Sequence, residues 1–186
     1  ITLNEAIDNQ GSGIYHAAFG SSNIIITSSI VSGNANIDVE ITPTDNTFTS
    51  GNNNLIGTGN AINSFNRERD QIGITDPLLG DLADNGGPTL THLPLPNSPA
   101  IDAGSNPNNL ATDQRGQPRF AGAGVDIGAV ELQPVQEIIG TAEADFLNGT
   151  IAQDSIFGLD GNDVINGLDD DDRSEEHTSE LQSLAY

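Results

Sequence analysis

Four aspartates near the C-terminal end of the chain recur at every ninth residue: Asp145, Asp154, Asp163 and Asp172. Glycine keeps the same step at Gly140, Gly149, Gly158 and Gly167, and an aliphatic keeps it at Leu147, Ile156 and Ile165. Carboxylates repeated at short spacing between glycine turns suit a hard cation that takes about six to eight oxygens at flexible geometry. Nine residues allow one tight turn and one very short strand, so two units complete a circuit and the next pair stacks on it. The aliphatics then point inward, and units two apart share a side, which places Asp145 over Asp163 and Asp154 over Asp172. Carboxylates stacked so closely repel unless a cation lies between them. By side chain or turn carbonyl, the candidate Ca2+ ligands are Gly140, Ala142, Asp145, Gly149, Asp154, Gly158, Asp160, Gly161, Asp163, Gly167, Asp169 and Asp172.

The fullest copy of the unit is Gly158-Leu159-Asp160-Gly161-Asn162-Asp163-Val164-Ile165-Asn166. Elsewhere Thr141 and Thr150, like Leu159, stand where a second glycine is expected, and Ala152 and Asp170 occupy the fourth place. With these departures, Gly140 to Asp172 resembles the RTX repeats of secreted bacterial proteins. The resemblance implies a β-roll that stays unfolded in calcium-poor cytosol, leaves by type I secretion and orders in millimolar external calcium. The competing reading is an acidic disordered tail in which Gly and Asp recur through composition. Three residue classes holding one phase favour the repeat.

The elements that must carry these residues read as β throughout. Ile24-Ile25-Ile26, Ile37-Asp38-Val39-Glu40-Ile41 and Asn54-Leu55-Ile56 are short apolar runs broken by Gly, Asn and Ser, with no amphipathic pattern of helical length. Ile30-Val31-Ser32-Gly33-Asn34 matches Phe48-Thr49-Ser50-Gly51-Asn52, a spacing close to one coil of a parallel β-helix. These segments are expected to be successive rungs, with Asn34, Asn52 and Asn54 at turns where amides hydrogen-bond along the axis. A β-sandwich with ordinary Asn turns is the alternative.

From Gln71 to Leu132 the blocks Asp76-Pro77-Leu78-Leu79-Gly80, Asp84-Asn85-Gly86-Gly87-Pro88-Thr89-Leu90-Thr91-His92, Ser98-Pro99-Ala100-Ile101-Asp102-Ala103-Gly104, Thr112-Asp113-Gln114-Arg115-Gly116 and Asp126-Ile127-Gly128-Ala129-Val130-Glu131 stand in order. Together they resemble the choice-of-anchor Q domain of bacterial surface proteins over about Gly33 to Glu131. The resemblance implies a right-handed parallel β-helix that ends in this segment, just upstream of exchangeable surface or secretion modules. Independently, Asn85-Gly86-Gly87-Pro88 and the prolines from Pro94 to Pro99 are turn and extended chemistry. The segment is therefore expected to wrap or cap the end of the solenoid, where open strand edges invite association. Arg115 and Arg119 are expected to pair structurally with Asp113, Asp126 or Glu131 rather than to bind a carboxylate ligand.

The chain has 186 residues, a net charge of −22 and only 4% aromatics, with neither Lys nor Cys. With five Arg and no Lys against 27 Asp and Glu, few basic side chains can meet phosphates, which argues strongly against nucleic acid and anionic membranes as partners. Lack of Cys removes thiol chemistry and permits an extracellular or cell-surface location. No apolar run is long enough to insert in a membrane. Ile1 follows no Met and no signal peptide, so both ends are expected to be truncated. Arg173 to Ser183 resembles the translation of a sequencing-adapter oligonucleotide, so 173–186 is set outside the fold and His177 is given no role.

Catalysis finds little support. Lyases of β-helix shape need a base beside bound calcium, but Lys is absent and Arg67 and Arg69 sit among Glu68 and Asp70 as a solvated cluster. Asp38 and Glu40 are spaced to share a strand face and form the best hydrolase pair, while His16 and His92 are isolated from each other. The expected protein is all-β and non-enzymatic. Its order is terminal rungs of a right-handed parallel β-helix (1–70), a capping segment (71–132), a linker (133–139) and a calcium-binding β-roll (140–172). The expected function is adhesin-like or structural, with calcium and an extracellular polysaccharide or another cell surface as partners. The rival is a fragment of a polysaccharide lyase or hydrolase whose active rungs lie upstream.

Overall fold

The computed structural model describes residues 13–17, 20–42, 45–149, 154–167 and 173–177. The chain is all-β, and its regular strands pair in parallel. It divides into two units, residues 1–132 and 133–186.

In the first unit β1 (Ile14–His16), β2 (Asn23–Ile26) and β3 (Ile30–Val31) are followed by β4 (Val39–Ile41), β5 (Thr47–Ser50) and β6 (Leu55–Ile56), which pair with them in the same order. The chain thus visits three sheets in turn and returns to the first. β7 (Gln71–Ile72) adds to β6 after a single 3-10 turn at Ile62–Ser64. The three sheets share one core of Ile26, Val31, Val39, Phe48 and Ile56, completed by Ala61 and Phe65 around the 3-10 turn. From β1–β3 to β4–β6 each passage returns to itself after 24 or 25 residues, as the Ser22–Asn46 and Ser29–Asn54 hydrogen bonds mark, whereas β7 meets β6 after 16. The expected equivalence of Ile30–Asn34 with Phe48–Asn52 is therefore corrected. Phe48 aligns with Ile24, and Ile30 aligns with Leu55. Similar letters recur because β-branched residues followed by a Ser-Gly turn suit either position.

The expected ladder of Asn34, Asn52 and Asn54 is also corrected, since each amide meets a different partner. Asn34 donates to Asp38 Oδ1 at 2.7 Å, and Asn52 Oδ1 accepts from the Arg69 amide at 3.1 Å. Asn54 is fully buried and joins neighbouring passages: its Oδ1 accepts from Ser29 N at 3.2 Å, and its Nδ2 donates to Ile26 O at 2.9 Å and Asp70 Oδ1 at 3.1 Å.

Strand alternation creates a second core. Val31 and Ile56 face the shared interior, whereas Ile30 and Leu55 face outward and meet Ala100, Ala103 and Ile127. Residues 76–132 contain only isolated antiparallel bridges, Leu79 with Pro94, Ala83 with Thr91 and Thr112 with Pro118. This segment lies on the flank of the β3–β6–β7 sheet. Asn53 Nδ2 donates to Ala103 O at 2.8 Å, Gln71 Nε2 to Pro99 O at 2.7 Å and Gly128 N to Ser28 O at 3.0 Å. Its observed contacts are thus lateral, because Leu55 would otherwise present an apolar face to water.

In the second unit β8 (Gln136–Ile139), β9 (Phe146–Asn148), β10 (Asp154–Asp160), β11 (Val164–Asn166) and β12 (Arg173–His177) form two parallel sheets, β8–β10–β12 and β9–β11. Residues 136–139, expected to be linker, are strand β8. Ile138 lies nine positions before Leu147 and keeps the aliphatic phase, which lets it pair with Ile156. β12 falls in the stretch set outside the fold. It continues the register from Ser155 to Phe157, then slips by one past Gly158, because Glu176 stands where the nine-residue step from Gly167 would put a glycine. No helix among the described residues is long and apolar enough to cross a membrane.

Candidate metal centre

The second unit follows the nonapeptide period. Asp145 N donates to Asp163 Oδ1 at 2.9 Å across a separation of 18 residues, and Asn166 Nδ2 donates to Asn148 Oδ1 at 3.2 Å across the same separation. Phe146, Leu147 and Asn148 face Val164, Ile165 and Asn166 in order. Among the inward aliphatics Ile156 is fully buried and Leu147 and Ile165 half-buried, while Phe146 and Val164 face solvent. The axial amide pair expected in the first unit is found here, between two Asn at the ninth place of alternate repeats. The sequence signal for it was their common phase.

The turns leave no room for side chains. A Cβ on Gly140 would meet Gly158 O at 2.6 Å, one on Gly149 would meet Gly167 O at 2.5 Å, and one on Gly161 would meet Glu143 O at 2.5 Å. The same construction places the sixth-place carboxylate of each unit over its own first glycine: Asp145 Oδ2 is 3.0 Å from a Cβ on Gly140, Asp154 Oδ2 is 2.7 Å from one on Gly149, and Asp163 Oδ2 crowds one on Gly158. Glycine at the first place therefore admits both the neighbouring turn's carbonyl and the aspartate. Gly161 takes φ +136°, a conformation that side chains rarely adopt.

The proposed ligands fall into three groups. The Asp163 carboxylate meets the backbone amide of Asp145, while the Asp145 side chain turns to its own repeat, its Oδ2 accepting from Thr141 N at 2.6 Å and Thr141 Oγ1 at 2.8 Å. Gly140, Gly161 and, within β10, Gly158 lie beside these two aspartates, whereas Gly149 and Gly167 lie together beside Asp154; Gly140 N donates to Phe157 O and Gly149 N to Asn166 O. Asp154 is buried, opposite Gln136, whereas Ala142 and Asp160 are exposed. Asp169 and Asp172 lie outside the described residues, and with them the pairing of Asp154 over Asp172. Among the described residues no three acidic or imidazole side chains converge. A cation held here would draw on paired aspartates together with turn carbonyls, a donor set of the hard oxygen type that calcium takes.

Asp113, Arg115, Arg119, Asp126 and Glu131 cluster on 71–132, as expected from the scarcity of cations. Arg115 pairs with Asp113 at 3.0 Å and Arg119 with Glu131 at 3.4 Å, with all four side chains nearly or wholly buried. Arg119 also donates to the Asp126 and Gly128 carbonyls, and Glu131 Oε2 accepts the Asp126 amide at 2.9 Å. Burial pushes the Glu131 carboxyl above its ordinary value; the Asp126 carboxylate adds to the rise, and the Asp126 and Ala121 amides and Arg119 oppose it.

Asp38, one member of the hydrolase pair considered, is buried and accepts from Asn34 N at 3.0 Å, Asn34 Nδ2 at 2.7 Å and Thr58 N at 2.6 Å. His16 Nε2 meets Ser22 Oγ at 2.7 Å beneath the Phe48 ring edge, and His92 Nδ1 meets Gly80 O at 2.7 Å. Comparison with family models, curated proteins and solved structures gave no match for this chain.

Proposed function

We propose that this chain belongs to a secreted or cell-surface β-solenoid protein whose C-terminal repeats bind calcium and fold as they do so. On this reading the three-sheet unit is the end of a right-handed parallel β-helix of the choice-of-anchor Q kind, and the second unit is an RTX-type β-roll. The observation that carries the proposal is the Asp163 carboxylate resting on the Asp145 amide, between glycine turns that admit no Cβ.

The residues divide the work. Leu147, Ile156 and Ile165 supply apolar contact but bury little area, so the unit gains only modest stability from its core. Asp145 and Asp163 bring two negative charges into neighbouring turns of a segment with no Lys or Arg between Gln133 and Asp172. Their repulsion opposes stacking at neutral pH. Calcium, when bound, supplies the positive charge that offsets this repulsion and shares its coordination among carboxylates and turn carbonyls. Folding and binding are then one equilibrium, suited to a chain exported unfolded into a calcium-rich exterior. The adhesin-like or structural role, with a polysaccharide or another cell surface as partner, rests on the surface-protein resemblance of 33–131.

Isothermal titration of the chain with calcium and with magnesium tests the site. We expect saturable calcium uptake in the range of about 10⁻⁴ to 10⁻³ M, typical of extracellular modules, and at least about tenfold weaker uptake by Asp163→Asn. Equal uptake by the variant, or no uptake by the native chain, rejects the assignment.

A further inference from the structure

The first unit carries an open cleft of about 790 Å³ between the strands Ile25–Val31 and the irregular segment that covers them. Its walls are aliphatic, with Ile25, Ile30, Leu79, Leu82, Leu90 and Ile127 among them, and Thr91, His92 and Gln114 contribute the polar edge. In a chain with 27 Asp and Glu, none lines this cleft, and no Arg lines it either. Ile25 is 67% exposed, Leu82 56% and Leu90 54%. Soluble proteins rarely leave contiguous aliphatic surface of this kind uncovered.

We propose that the cleft docks a segment of another protein that presents aliphatic anchors flanked by Lys or Arg. Two features select this occupant. Small-molecule sites bury about 70–90% of their ligand, whereas a wall on which Ile25, Leu82 and Leu90 stay more than half exposed suits an extended polypeptide that remains partly in solvent. Residues 1–132 carry 14 Asp and Glu against 4 Arg, a balance that attracts cationic partners, and exposed Asp81 and Asp84 flank the cleft residue Leu82 in the sequence. The aliphatics give affinity at the centre, and the acidic balance of the unit, with Asp81 and Asp84 next to Leu82, gives orientation and faster association. This docking is independent of the calcium reading, because it uses first-unit residues alone.

The test is fluorescence anisotropy of the whole chain with a labelled peptide of alternating Leu and Lys, and with a Leu/Glu peptide of equal length. We expect saturable binding of the Leu/Lys peptide, weakened at least about tenfold by Ile25→Ser with Leu90→Ser and by less than about twofold by Leu110→Ser with Phe120→Ser, which removes exposed apolar groups outside the cleft. Ile25 and Leu90 are largely exposed, and thermal melts of both variants confirm that the fold is kept. Equal losses in the two variants, or equal binding of the Leu/Glu peptide, overturns the proposal. So does Nile red binding that the Leu/Lys peptide fails to displace, which makes the cleft a small-molecule site. Self-association in sedimentation that the cleft variant abolishes assigns the surface to a second copy and also overturns it.

Discussion

Asp163 places a carboxylate oxygen 2.9 Å from the backbone nitrogen of Asp145, 18 residues earlier. One side chain thereby ties two alternate repeats together, and it does so at the position where the sequence repeats its acid. Because the same group is the best candidate for a cation ligand, stacking and metal uptake are linked through a single residue.

Glycine at the first place of the repeat is a steric requirement. Gly149→Ala would drive its methyl into Gly167 O and the Asp154 carboxylate. We expect a loss of about 1–3 kcal/mol in the stability of the second unit, against less than about 0.5 kcal/mol for Ala142→Ser on the exposed turn. Denaturant titration followed by β circular dichroism measures both.

Arg119 and Glu131 are expected to be strongly coupled. Arg119→Ala leaves Glu131 buried without its guanidinium and should cost about 3–5 kcal/mol. A double-mutant cycle of Arg119→Met and Glu131→Gln should show a coupling above about 1 kcal/mol in urea unfolding. Additive losses contradict the pairing.

The raised Glu131 carboxyl sets a pH dependence. The folded chain keeps this proton at pH values where the unfolded chain has released it, so the group's contribution is full below its ordinary value of 4.5 and declines as pH rises towards the raised value. The stability deficit of Glu131→Gln relative to the native protein should therefore shrink between pH 4.5 and neutrality. A deficit that grows over that range reverses the sign and rejects burial as the cause.

Leu55 should matter more than Ile72 on the same sheet. It is fully buried against Ala100 and Ile127, so Leu55→Ala should cost about 2–5 kcal/mol and raise amide exchange around Ala100. Ile72→Ala, at a half-exposed position, should change stability by less than about 0.5 kcal/mol.

Sequence periodicity made the second unit legible, since one phase of Gly, Asp and aliphatic residues dictates which residues pair. It missed β8 because Ile138 keeps the aliphatic phase without a glycine or aspartate to announce it. In the first unit, the β runs were legible but their register was not. The Ser-Gly-Asn echo pointed to an 18-residue coil, whereas backbone pairing follows the Ser22–Asn46 and Ser29–Asn54 separations of 24 and 25. Tertiary packing decided that register, with Phe48 seated between His16 and Phe65. The outward burial of Leu55 was hidden for a related reason: Leu55 and Ile56 are both apolar, so alternation could not reveal that each faces a different core. The Arg115 and Arg119 pairs were readable because so few cations serve so many acids.

Amide hydrogen exchange of the whole chain, with and without about 5 mM calcium and with equal magnesium as control, tests the central claim most directly. Calcium should slow exchange across Gly140 to Asn166, most of all at the Asp145 amide, and magnesium should leave it unchanged. Equal exchange in all three conditions contradicts the assignment of these repeats as a calcium-ordered unit.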